Sequence, residues 1–307
     1  LLIYLIIKGE VHLTLKPSIV SRKFLYKIIT LISFVYGGTL VYAVSSVFDS
    51  ILIASVLENG LASVAVYSLA QNMASLIQAP QRGIISSSLS ALSKAWKDKD
   101  LGRISRIYQS SSINQLIFAV GIFALIWLNF NDGIFTFKLQ HGYLDAKWIF
   151  FFIGLMRIVD MGTGVNGQII GTSTLWKFEF YTGMILLALA LPLNYILTKY
   201  YFGSTGPAVA NLIAFTIYNA IRCWFLKKKF NMQPFTLKTV YTILLGIACF
   251  FCCYFPFYKQ QGLLWLVIRS SLFITLYAGG CINLQLSTDI MPVWNTVKNR
   301  LGIGKGE

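Results

Sequence analysis

The stretch Trp148-IFFFIGLMRIVDMGTGVNGQIIGT-Ser173 decides how the rest of this chain is read. It opens as an unbroken apolar run through Met156. It then places Arg157 and Asp160 three residues apart and continues into four glycines, Gly162, Gly164, Gly167 and Gly171. A run of about 20 mostly apolar residues is long enough, as a helix, to cross the hydrocarbon of a bilayer. An arginine near the middle of such a span costs at least about 2.5–3.5 kcal/mol even on the lenient insertion scale. It persists where it pairs, lines water or binds an anion. The spacing of three lets Arg157 and Asp160 pair on one helix face, which Gly164 and Gln168 extend. Two readings stay open: a satisfied structural ion pair, or an anion-binding or gating charge. The glycine run offers close helix approach or local unwinding.

The composition of the whole chain agrees with a membrane span. Of 307 residues, 12% are charged and 56% hydrophobic, whereas a soluble domain carries about 25% charged residues. Aromatic residues at 15% exclude a disordered chain. Eight stretches qualify as spans: 28–48, 61–82, 112–130, 148–171, 180–198, 207–226, 240–257 and 264–286. The second and fourth are the weakest, and weakly apolar spans face protein or water rather than lipid. Residues 1–7 read as the tail of a preceding membrane helix, and the chain as a C-terminal portion of a longer protein. The expected fold is an all-α polytopic transmembrane bundle.

The net charge of +15 sorts by loop. Nineteen of the 26 Lys and Arg fall on one side. They lie before the first span, after the second (Lys94, Lys97, Lys99, Arg103, Arg106), after the fourth (Lys177), around the end of the sixth (Arg222, Lys227, Lys228, Lys229, Lys238) and in the tail. Only Lys138, Lys147, Lys199 and Lys259 fall opposite, while Arg82, Arg157 and Arg269 lie in or at the edge of spans. This bias puts the N-terminal segment and the tail in the cytoplasm, against anionic lipids that attract each basic residue by about 1 kcal/mol. A nucleic-acid partner is not expected, because its basic residues would gather on one soluble surface.

Polar groups inside the spans are the candidate functional residues. In LASVAVYSLAQNMASLIQAPQRG, helical spacing aligns Tyr67, Gln71, Ser75, Gln78 and Arg82 on one stripe. Such a stripe faces a hydrated cavity or another helix, since unsatisfied polar groups in lipid are costly. Pro80 is expected to kink this helix. Asp49 follows the first span near the outer interface, as a helix-end cap or a ligand for a coupling cation. Arg269 is expected to snorkel to the interface.

Several chemistries have no support. The tail Gly302-Ile-Gly-Lys-Gly306 lacks the spacing of a phosphate-binding loop. His12 and His141 lie in distant polar segments, so neither a catalytic triad nor a metal site with Cys249, Cys252 and Cys253 assembles readily. No catalytic residue, cofactor or metal is expected, and the chain does not read as an enzyme.

Three motifs in order resemble the polysaccharide-export, O-antigen-flippase-like branch of the multidrug/oligosaccharidyl-lipid/polysaccharide superfamily. FDSILIASVLENGLASVAVYSLA resembles that family's turn from its seventh to its eighth helix, through Asp49, Gly60 and Tyr67. IVDMGTGVNGQIIGTSTLWKFEF resembles its tenth-helix signature, through Asp160, Gly164, Asn166, Gly167 and Ser173. LNYILTKYYFGSTGPAVANLIAFTIYNAIR resembles the eleventh and twelfth helices, through Asn194, Gly203, Gly206, Ala208, Ala210 and Arg222. The matches cover roughly residues 24–235.

The resemblance implies a 14-helix fold, of which this chain supplies the second lobe. Residues 1–27 would end a preceding span and form a basic loop, 28–226 would make a six-helix lobe, and 227–307 two extra helices and a cytoplasmic tail. It implies transport of an undecaprenyl-pyrophosphate-linked oligosaccharide across the bacterial cytoplasmic membrane, with polysaccharide polymerase or glycosyltransferase partners. In that reading Arg82 and Arg157 contact pyrophosphate, since guanidinium matches phosphate oxygens bidentately. Tyr67, Gln71, Asn72 and Gln78 contact sugars and Asn166 also binds the substrate, while Asp49 and Asp160 sense protons or sodium. Rival readings are a drug/cation antiporter or lipid II flippase of the same superfamily, a membrane-embedded polymerase or acyltransferase, and a membrane scaffold.

Overall fold

The computed structural model describes residues 8, 21–258, 260–287 and 289. The expected helix tail at 1–7 and the basic residues at 298–305 lie outside them. The described residues form helices and turns with no strand. These are α1 (Arg22–Val56), α2 (Gly60–Lys97), α3 (Leu101–Thr136), a 3-10 turn (His141–Asp145), α4 (Ala146–Gly162), α5 (Asn166–Thr172), α6 (Lys177–Leu197), a π turn (Thr198–Phe202), a 3-10 turn (Gly203–Thr205), α7 (Gly206–Phe230), α8 (Leu237–Tyr254) and α9 (Leu263–Asn283). Seven of the eight expected spans fall on single helices, apart from Thr198 beyond α6 and three residues beyond each of α8 and α9, while the fourth is divided between α4 and α5.

The helix starts follow local chemistry. The Ser21 side chain accepts from the Phe24 N–H, and the Asp100 carboxylate from the Arg103 N–H at 2.8 Å. Thr236 and Thr239 cap the start of α8 reciprocally. α7 ends where Asn231 takes the left-handed conformation. α2 and α3 have 38 and 36 residues, about 54–57 Å at 1.5 Å per residue. They therefore overrun a hydrocarbon core of about 30 Å, and their joined ends carry Lys94, Lys97, Lys99, Arg103 and Arg106. Pro80 does not end α2, which continues to Lys97.

Among the described residues, five helical segments are long and apolar enough to cross a membrane, or six if α4 and α5, bent by 46° at their break, count as one. One of the five, Lys177–Phe230, is itself a hairpin. Glu179 and Thr182 meet Arg222, Phe178 stacks on Phe225 at 3.9 Å, and Asn194 and Asn211 meet the same carboxylate. α6 and α7 are therefore antiparallel neighbours. The reversal is tight, since a Cβ on Gly206 would stand 2.5 Å from the Thr198 backbone nitrogen.

Hydrophobic burial divides the bundle into three clusters. The largest joins α1 to α4 with α6 and α7, around Ile53, Ala74, Ile77, Phe130, Phe150, Met156 and Ala190. A second packs α8 and α9 onto α3 through Leu116, Val120, Cys253 and Phe273. A third closes the basic end, where Trp96 meets Phe230 edge-on and donates to the Ile169 carbonyl at 3.1 Å. All these helices still leave large apolar side chains exposed, among them Leu40, Leu76, Ile185, Trp224, Leu244 and Leu264. That is the surface expected of a protein solvated by lipid.

Candidate functional site

The break between α4 and α5 is built by its neighbours. Gly164 has φ +65°, and a Cβ there would stand 2.9 Å from both the Ser111 hydroxyl and the Ser112 backbone nitrogen. Only glycine suits both the dihedral and the space. Helix interruption frees backbone groups, and α3 supplies partners for them. The Ser112 hydroxyl donates to the Gly162 carbonyl, and the Ser111 hydroxyl accepts from the Val165 N–H at 3.4 Å.

A buried polar network surrounds this break. The Asp160 carboxylate accepts from Gln81 Nε2 and Asn219 Nδ2, both at 3.2 Å. Asn219 Oδ1 accepts from the Thr163 hydroxyl and from Asn166 Nδ2, both at 2.9 Å. Asn166 Oδ1 accepts from Arg222 Nη1 at 3.4 Å. Arg222 also pairs with Glu179, donates from Nε to the Thr182 hydroxyl at 3.3 Å, and lies 3.7 Å over the Tyr218 ring. Five helices thus contribute to one chain of bonds.

A second cluster surrounds Asp49, which is buried. Its Oδ1 accepts from Asn194 Nδ2 at 2.8 Å, and its Oδ2 from the Tyr67 hydroxyl at 2.9 Å and Asn211 Nδ2 at 2.7 Å. α1, α2, α6 and α7 each supply one member. The oxygens of two of these amides, Asn194 Oδ1 and Asn211 Oδ1, are buried without a hydrogen-bond partner. Asp49 thus has three neutral donors and no cationic partner among the described residues.

The predicted residues separate into three groups. Tyr67 and Asn166 are buried and engaged, the first by Asp49 and the second by Asn219 and Arg222. Gln71 and Gln78 are half-buried, while Asn72, Ser75 and Arg82 are exposed on α2. Arg157 is half-buried on α4, within electrostatic range of the Tyr67 hydroxyl. Its Nε is buried without a hydrogen bond.

Four expectations need correction. Arg157 does not pair with Asp160, whose oxygens are taken by amides of α2 and α7. Asp49 does not cap a helix end. It lies inside α1, which runs on to Val56. Arg269 does not snorkel: it is buried, paired with Asp132, and donates from Nε to Asn129 at 2.9 Å. Arg222 is not part of the basic rim, because α7 carries it inside the hairpin. Asn211, Asn219 and Gln81 went unread. The signal for the first two was a polar stripe in α7, since Asn211, Asn219 and Arg222 recur at steps of eight and three.

The fold recurs in solved transporters. The chain is similar to an outward-facing multidrug resistance MATE family transporter of the MOP superfamily, with TM-score 0.51 and 15% identity over 86% of this chain and 66% of that one. It is equally similar to a MOP superfamily transporter from Pyrococcus furiosus, described as having a binding pocket of reversed polarity that suggests a different function. There the TM-score is 0.51 and the identity 15%, over 83% of this chain and 64% of that one. This chain therefore spans just under two thirds of the length of each. No protein-family model and no curated protein matches it. At this identity the likeness establishes the fold alone, the all-helical architecture that this chain shares with those structures.

Proposed function

We propose that this chain forms one lobe of a transporter that moves an anionic, lipid-linked oligosaccharide, of the undecaprenyl-pyrophosphate class, across the bacterial cytoplasmic membrane. The observation carrying this reading is the state of the three interior arginines. Arg222 is paired with Glu179, and Arg269 with Asp132. Arg157 has no carboxylate partner among the described residues, although Asp160 lies one turn away. A guanidinium kept without a fixed counter-ion in a low-dielectric bundle suits an anion that comes and goes.

On this reading Arg157 contacts phosphate. Arg82, Asn72 and Ser75, exposed along α2, with Gln71 and Gln78 beside them, face the cargo's path. Tyr67 and Asn166 act by fixing the helices around it. Residues 28–226 make the lobe, and the helices beyond 227 are an added pair. The basic ends of α2, α3, α7 and α8 face the cytoplasm, beside the polymerase or glycosyltransferases that handle the same lipid.

A drug/cation antiporter is the second reading. It draws on Asp49, a buried carboxylate held by three neutral donors and no cation. Arg157→Glu in the cells that carry the protein separates the two. Loss of surface polysaccharide at normal protein level supports the flippase, and drug sensitivity with intact polysaccharide supports the antiporter. Unchanged phenotypes for substitutions of both Arg82 and Arg157 overturn the anion-binding assignment.

A further inference from the structure

Away from these clusters, a cavity of about 900 Å³ opens at the basic end of the bundle, between α2, α3, the start of α8 and the segment after α9. Its polar wall includes Ser87, Ser88, Arg106, Lys238 and Asp289. It joins a groove of about 650 Å³ between α3 and α9, since Ile84, Asn114 and Asp289 line both. The groove is almost wholly apolar, walled by side chains such as Phe118, Ile122, Ile274 and Ala278. A greasy channel continuous with a charged chamber is the shape of an amphiphile with a polar head.

The charges narrow the head. Arg106 is exposed and makes no hydrogen bond among the described residues. Lys238 leans over the chamber while donating to the Gln285 carbonyl at 2.6 Å. Asp289 accepts from Ser110 at 3.0 Å and Asn114 at 2.6 Å, both on Oδ2, and its Oδ1 has no hydrogen-bond partner among the described residues. Two cations and one half-used carboxylate complement a head that carries a phosphate and an ammonium together. A purely anionic head would set its charge against Asp289, and a fatty acid has no use for the carboxylate. We propose that this joined cavity binds one molecule of phosphatidylethanolamine. Its phosphate lies toward Arg106 and Lys238, its ammonium on Asp289 Oδ1, and one acyl chain in the α3–α9 groove. Phe118 and Ile274 stay half exposed on the groove's rim, which lets the second acyl chain remain in the bilayer. Occupied, the site ties the α8–α9 pair to α2 and α3 through lipid as well as through side chains.

Native mass spectrometry of the purified full chain tests this, with added phosphatidylethanolamine, phosphatidylglycerol or undecaprenyl phosphate as probes. The wild type is expected to retain one phosphatidylethanolamine per chain, in preference to phosphatidylglycerol. Ala278→Trp, which fills the groove, abolishes that retention. Asp289→Asn cuts the preference about tenfold, the loss of one charge-assisted contact of about 1.4 kcal/mol. Size exclusion confirms that the variants fold, and Ile274→Trp replaces Ala278→Trp if the latter aggregates. Retention unchanged by the groove variants marks loosely associated bilayer lipid and overturns the proposal. Preference for phosphatidylglycerol overturns the head assignment, and displacement by undecaprenyl phosphate makes the groove part of the cargo path instead.

Discussion

Arg157 and Asp160 stand one helical turn apart on α4 and make no ion pair, because Asp160 accepts from Gln81 and Asn219 across helix interfaces. Amide donors satisfy the carboxylate without neutralising it. The positive and negative charges of the broken helix are thereby held apart, each within a different set of neighbours. An ion pair closed on one helix would leave no charge for a passing anion. An open one presents a guanidinium at the half-buried face of α4.

The three arginines should differ in what their removal does to stability. Deleting one partner of a buried pair costs about 3–5 kcal/mol, because the other charge is stranded. Arg222→Met leaves Glu179, whose side chain is 33% exposed, without its partner and is expected to lower the melting temperature by less than that full cost. Arg157→Met removes a charge with no fixed partner and should be neutral or slightly stabilising. Thermal unfolding in detergent checks both, and a large loss for Arg157→Met would mean that a hidden partner exists.

Arg269 and Asp132 bind α9 to α3 at a buried site, with Asn129 bridging to Ser270 at 3.0 Å. Either Arg269→Met or Asp132→Leu alone should destabilise by about 3–5 kcal/mol, while the double variant should lose much less, since both charges go together. A double-mutant cycle on melting reads the coupling directly. Additive losses would show that the two residues act independently.

The helices were legible because greasy runs of about 20 residues have little else to become. The glycine run at 162–171 marked the break. Tertiary partners were not legible. Asp160 had an obvious local partner in Arg157, three residues away. The actual donors, Gln81 and Asn219, are 79 and 59 residues distant. Arg222 read as a loop cation because it neighbours Lys227, Lys228 and Lys229, and nothing local said that α7 would bury it against Glu179. Asp49 read as a helix end because the apolar run before it already reached span length. The further turns to Val56 are held by packing, with Leu52 and Ile53 buried.

Gly164→Ala should damage the break more than the loss of a glycine's freedom alone. The left-handed conformation costs a side-chain-bearing residue about 1–2 kcal/mol, and the added Cβ collides with Ser112 backbone, which cannot swing away. We expect a loss of about 2–4 kcal/mol in stability, in line with strain plus overpacking. Gly171→Ala is the control, since a Cβ there meets nothing within 4 Å. Its replacement inside a helix should be tolerated or mildly stabilising. Equal melting of the two variants would mean that the break does not depend on the backbone freedom of Gly164.

Coupling to a cation, if it runs through Asp49, leaves a signature in stability. The carboxylate has three neutral donors and no positive partner among the described residues, and Asn194 and Asn211 each keep a buried oxygen unbonded. A cation entering there neutralises the charge, and either amide can turn its oxygen to the cation in place of its nitrogen. Binding only to the folded state stabilises it by about 2.7 kcal/mol at a hundred times the dissociation constant. Replacing potassium by sodium at constant ionic strength should then raise the melting temperature of the wild type by several degrees. Asp49→Asn removes the charge that a cation needs, while its amide can still accept from Tyr67 and Asn211. It should melt near the cation-free wild type and lose the response to sodium. Asn194→Ala, which keeps the carboxylate but deletes one oxygen, should keep a weakened response. A wild type that melts identically in both salts would restrict Asp49 to tying α1, α2, α6 and α7 together.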